Sequence, residues 1–164
     1  MKITDIKQQV KRKDRYSIFI DGKYSFALSE SGLLESGLKI GRELSDAELA
    51  ELKEVSSEDK AIYRVLDLIA RRARSEGEIR DYLRRKKYGD EAVKKILNTL
   101  SNKGYINDEA FARSWVENRR LLKPTSRRKL VLELRQKRIS DEIISAVMDS
   151  EPADEREVLK ELIA

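Results

Sequence analysis

The residues best equipped for chemistry in this sequence are its arginines and lysines, gathered in the runs Arg71-Arg72-Ala73-Arg74, Arg84-Arg85-Lys86-Lys87 and Arg127-Arg128-Lys129. A guanidinium presents a planar fork that grips phosphate or carboxylate through two hydrogen bonds, and an ammonium adds a compact point charge. Such runs bind anions; they do not by themselves make or break covalent bonds. The groups that would do so are missing. There is no His, the commonest general base near neutral pH, and no Cys for a thiolate nucleophile, a zinc site or a disulfide. The 30 Asp and Glu lie among 35 Lys and Arg in the pattern of solvated helix faces, and neither GxxxxGK[ST] nor GxGxxG occurs. The sequence therefore predicts binding without catalysis, and no metal site or cofactor.

The cations are unevenly placed. Residues 1–57 carry 10 basic and 10 acidic side chains, residues 58–149 carry 23 and 15, and residues 150–164 carry 2 and 5, which together give the net charge of +5. The excess sits in the middle, where a polyanion or an acidic protein groove is the natural partner. On a helix, Arg80, Arg84 and Lys87 fall at i, i+4 and i+7 beside the apolar Ile79 and Leu83, with Arg85 and Lys86 next to them and Arg71, Arg72 and Arg74 upstream. A second group comprises Arg119, Arg120 and Lys123, then Arg127, Arg128 and Lys129, then Arg135, Lys137 and Arg138. Isolated surface charges contribute little, so these count as groups. Phe111 and Trp115 lie on an apolar stripe and read as core, not as base-stacking platforms.

The elements that must position these groups are mainly helical. With 40% hydrophobic and 40% charged residues, 6% aromatics and 2 Pro in 164 residues, long solvated helices suit the composition better than a β-sandwich. The head is the exception. Two β-rich runs flank Asp21-Gly22, the pair favoured in a type I′ hairpin, in a register that opposes Phe19 to Tyr24 and puts Phe26 and Leu28 on the same, buried face. A short helix over 29–35 ends at Gly37, and 38–44 reads as a connection or further strand. Ser45 and Glu48 form a capping box, and VSSED at 55–59 interrupts the helical pattern, marking a boundary. Beyond it come helices with stripes Ile62, Val65, Leu66, Ile69; then Ile79, Tyr82, Leu83 after the Ser75 cap; then Val93, Ile96, Leu97, Leu100 before Gly104. Phe111, Trp115 and Val116 begin the pattern again, followed by Leu130 and Leu134 after Ser126, and by Ile143, Ile144 and Val147 after Ser140.

A slide of 51 residues aligns 75–97 with 126–148 without a gap. Ser75, Leu83, Arg84, Lys86, Asp90 and Glu91 recur as Ser126, Leu134, Arg135, Lys137, Asp141 and Glu142. Cap, core stripe and turn repeat together, the mark of stacked supersecondary units. The predicted fold is mainly α: tandem three-helix repeats in an elongated array behind a small β-hairpin/α domain. The units run over 1–57, 58–106 and 107–150, with 151–164 as the first helix of an incomplete third repeat. No apolar leader region and no stretch of about 20 apolar residues occurs, so a cytoplasmic protein is expected.

LIARRARSEGEIRDYLRRKKY at 68–88, KGYINDEAFARSWVENR at 103–119 and RRKLVLELRQKRI at 127–139 resemble the bacterial RecX family, regulators of the RecA recombinase. In the junction, Gly104, Tyr105, Asp108, Phe111 and Ala112 stand where the family pattern has them. One departure recurs: Lys87 and Arg138 occupy the place of a glycine, so either those helices end differently or these residues take the left-handed conformation. The resemblance implies a monomeric, non-enzymatic regulator that lodges in RecA filaments on single-stranded DNA, with double-stranded DNA as a further target, and restrains ATP hydrolysis, strand exchange and LexA cleavage. The alternative is a helix-turn-helix DNA-binding protein, which needs Asn, Gln or Arg aimed at base edges.

Overall fold

The computed structural model describes residues 1–150, so the helix expected at 151–164 lies outside the described residues. The chain divides after Val65 into two compact units.

In the first unit, β1 (Ile3–Gln8), β2 (Arg15–Ile20) and β3 (Lys23–Ser29) form an antiparallel sheet in that order. Asp21 at φ 50 and Gly22 at φ 81 close the β2–β3 hairpin, as the Asp-Gly pair predicts. Phe26 and Leu28 are buried as expected, but Phe19 and Tyr24 do not share their face. Phe19 does oppose Tyr24, but Ile18 pairs with Phe26, leaving Ser25 as an extra residue in β3. This bulge reverses the alternation, so Phe26 and Leu28 join Ile3, Ile18 and Ile20 in the core while Tyr24 is exposed. Helix α1 (Glu30–Ser36) is capped by the Ser29 hydroxyl and ended by Gly37 in the left-handed conformation. No further strand forms over 38–44: the segment makes one bridge, Lys2 to Glu43, and contributes Leu38 and Leu44 to the core.

Helix α2 (Asp46–Arg71) starts at the expected capping box, where the Glu48 amide donates to Ser45 Oγ and the Ser45 amide to Glu48 Oε1. It runs unbroken through 55–59, where the sequence pattern predicts an interruption. The polar residues there serve tertiary contacts. Ser56 Oγ donates to the Ala27 carbonyl at 2.5 Å, and the Asp59 carboxylate accepts from Ser29 N and Ser29 Oγ at 2.5 and 2.9 Å, tying the helix to the β3–α1 corner.

The second unit holds α3 (Glu76–Arg85), α4 (Asp90–Asn102), α5 (Asp108–Leu122), α6 (Arg127–Gln136) and α7 (Asp141–Ser150). The 51-residue repeat is a repeat of backbone geometry. Ser75 and Ser126 cap α3 and α6 by accepting from Glu78 N and Lys129 N, and the residues after each helix take the same path. Lys87 and Arg138 are left-handed, at φ 66 and 61, and complete matching Schellman motifs: Lys87 N and Tyr88 N donate to Arg84 and Leu83 carbonyls, Arg138 N and Ile139 N to Arg135 and Leu134 carbonyls. Both helices thus end as if glycine were present. Around α5, α6 and α7 the core comprises Phe111, Ala112, Val116, Leu130, Leu134, Ile139, Ile144, Val147 and Met148, with Trp115 packed at its edge; Ile79, Leu83, Val93, Ile96, Leu97 and Leu100 are buried in α3 and α4. Tyr82, expected inside, is half-buried.

Candidate nucleic-acid interface

Whether the two cationic groups act together depends on how their helices are joined, and the first turn of α3 is held from two sides by the later helices. Ser75, fully buried, caps α3 and also donates its hydroxyl to the Lys137 carbonyl at 2.6 Å. Asp108, at the start of α5, accepts from the Glu76 amide at 2.8 Å, satisfying an N–H that no helical turn reaches. Asn107, not Asp108, caps α5 itself, through Ala110 N. Gly77 leaves room for Arg138, whose side chain passes over it and donates to Asp81 at 3.0 Å. These contacts were hidden in the sequence because each links positions 32 to 62 residues apart, or depends on a missing Cβ.

On this frame the predicted cations fall into two kinds. Arg72 pairs with Glu78 at 2.8 Å, Arg80 with Glu76 at 3.3 Å, Arg84 with Asp90 at 3.9 Å and Arg135, its repeat equivalent, with Asp141 at 3.0 Å. Arg127 pairs with Asp149 at 2.9 Å. Arg119 grips Glu133 through Nε and Nη2 at 2.8 and 2.7 Å, while Trp115 Nε1 donates to the same carboxylate at 2.9 Å. The Arg119 hydrogen bonds hold the Glu133 carboxyl below its ordinary value against the opposing effect of burial. Lys137 and Arg119 both lie over the Trp115 ring, and Lys86 over Tyr82. The Trp115 ring, stacked on Phe111 at 6.0 Å, is thereby committed.

The second kind carries no ion pair among the described residues: Arg71, Arg74, Arg85 and Lys87 near α3, and Lys123, Arg128 and Lys129 around the start of α6. Arg120 has a partner within the protein. Three of the predicted arginines, Arg72, Arg74 and Arg85, come together on a cleft of about 230 Å³ that also holds two carboxylates, Glu78 and Asp81, already paired with Arg72 and Arg138. Arg74 Nε is buried there without a hydrogen-bond partner among the described residues. Arg74 and Arg85 are the cations of this cleft that carry no ion pair among the described residues, and so the ones placed to meet an anionic oxygen. Among the described residues, no group of three or more carboxylates is placed to hold a metal ion.

Comparison with known proteins agrees with this architecture. Residues 1–45, 61–100 and 107–148 match the family models described as the regulatory protein RecX N-terminal domain and the first and second three-helix domains of RecX. A solved structure described as regulatory protein RecX superposes with a TM-score of 0.78 at 33% identity, covering 90% of this chain and 72% of that one. The chain belongs to the RecX family. Regulatory protein RecX of Listeria innocua is 38% identical over 154 residues, 94% of this chain and 57% of the relative; that of Bacillus subtilis is 32% identical over 148 residues, 90% and 56%. The chain thus spans little more than half the length of these RecX relatives. The family's three-helix domains are the two modules joined through Ser75, Gly77 and Asp108. No helix among the described residues is long and apolar enough to cross a membrane.

Proposed function

We propose that this chain regulates the RecA recombinase in the cytoplasm by binding its filament on single-stranded DNA through the cations of the two three-helix modules, without catalysing a reaction. The observation that carries this reading is the junction at Ser75, Gly77, Asp108 and Arg138. It joins the helix that carries the cations near α3 to the end of the helix that carries those near α6, and two weak contacts at fixed spacing suit a partner that repeats along an axis. The relatives are named regulatory proteins, in keeping with modulation of another protein's activity. Lodged in the filament, the chain restrains ATP hydrolysis, strand exchange and LexA cleavage.

The test is the steady-state rate of ATP hydrolysis by RecA on single-stranded DNA as the chain is titrated in. A saturable fall in rate is expected. An unchanged rate at saturating concentration would refute the assignment.

A further inference from the structure

The first unit contains a cleft of about 640 Å³ between the hairpin and α2, which the modules do not share. Its cationic lining is Arg12 and Arg15 from the hairpin side and Lys53, Lys60 and Arg64 from one face of α2; no Asp or Glu lines it. Residues 1–65 carry 12 basic and 12 acidic side chains, so this grouping is a matter of placement and not of net charge.

Arg15 is the informative residue. It is only 6% exposed, yet its Nη1 has no hydrogen-bond partner among the described residues. The Asp59 carboxylate stands 3.9 Å away with its oxygens already bonded to Ser29, and the guanidinium is held 5.3 Å from the Tyr63 ring centre. The other acidic neighbour, Asp14, accepts the Tyr63 hydroxyl. A buried guanidinium without a full set of acceptors is costly, and an anionic oxygen entering the cleft would complete it. At the mouth stands Tyr24, 59% exposed, its ring fixed edge-on against Phe19 at 6.1 Å. A rigid exposed aromatic beside cations fits a strand of nucleotides better than an acidic peptide, because every base offers a face to stack on.

We propose that this cleft binds the phosphodiester backbone of a single-stranded nucleic acid, with Arg15 and the α2 cations on the phosphates and Tyr24 beneath a base. This goes beyond the filament reading and does not depend on a recombinase.

The experiment follows the anisotropy of a labelled 20-residue oligothymidylate bound by the full chain over a range of salt, without RecA. The variant Lys53→Glu/Lys60→Glu/Arg64→Glu should bind at least about tenfold more weakly, and the slope of log affinity against log salt should shrink by about 2, near 0.7 for each lost phosphate contact. The milder Lys53→Gln/Lys60→Gln/Arg64→Gln should move both readouts in the same direction while sparing the fold. Lys7→Glu/Lys23→Glu/Lys39→Glu, outside the cleft, should have the smaller effect. Unchanged affinity and slope in the Gln variant, or no binding by the parent chain, would overturn the proposal. So would equal competition by polyglutamate of the same length, which would assign the cleft to acidic protein. RecA ATPase measured on the same variants separates the two readings, since that rate can fail to respond to the chain while oligonucleotide binding stands, and the reverse.

Discussion

Replacing Gly77 with Ala tests the module junction, because the new Cβ would lie 2.6 Å from Arg138 Cβ and 3.0 Å from its Cδ. In an open helix this change would stabilise by up to about 1 kcal/mol. Here overpacking costs about 1–3 kcal/mol, and rotating the Arg138 side chain cannot relieve it, since its Cβ is fixed by the backbone. The Arg138–Asp81 pair, largely exposed, adds a few tenths at most when it is displaced. Gly77→Ala should therefore destabilise the second unit by about 1–2 kcal/mol. On an Arg138→Gly background the obstructing atoms are gone, and the same substitution should become stabilising by up to about 1 kcal/mol. The four-member cycle is read by urea unfolding, using far-ultraviolet circular dichroism and the fluorescence of Trp115, the single tryptophan. The same sign in both backgrounds would refute the packing of the α6 end on α3.

Two further outcomes follow from single residues. Lys87→Gly should stabilise by about 0.5–1 kcal/mol, the relief of a left-handed residue less the extra freedom of the unfolded chain, and an unmoved urea midpoint would count against the strain. Glu133 has a folded-state carboxyl held below its ordinary 4.5, so its contribution is fully present above that value and is lost as the pH falls through the folded one. Glu133→Gln should flatten the fall in unfolding midpoint below pH 4.5, and a pH profile parallel to the parent's would refute the role of the Arg119 contact.

Features set by neighbours in sequence were legible there. Asp21-Gly22, the Ser45/Glu48 box, the Ser75 cap, Gly37 and Gly104 act over a few residues, and each forms the predicted turn or helix end. In the hairpin the burial of Phe26 and Leu28 was legible, but which β2 residues join them was not, because one extra residue at Ser25 inverts an alternation that the sequence alone presents as regular. VSSED misled for a related reason: its polarity answers to Ala27 and Ser29, far back in the chain, and not to solvent. The cationic groups were visible as groups, but which members are engaged internally depends on partners such as Glu78, Glu133 and Asp81 that spacing does not bring together.

Lys87 and Arg138 show how one repeat gives two different surfaces. Both take a conformation that costs about 1–2 kcal/mol for a residue with a side chain. At Arg138 the side chain offsets part of that cost by packing over Gly77 and bonding Asp81. Lys87 has no such contact among the described residues: its side chain is exposed and no ion pair holds it there. Folding alone would favour glycine there, so the strain at Arg138 has a structural return in the junction, whereas that at Lys87 has none within the fold and fits the proposed role of its cation in the filament contact. If that cation serves the filament contact, Lys87→Gly should raise stability and weaken binding together, whereas Lys87→Arg should keep both near the parent. Weaker binding from Lys87→Arg equal to that from Lys87→Gly would separate the strain from the charge and remove the reason given for it.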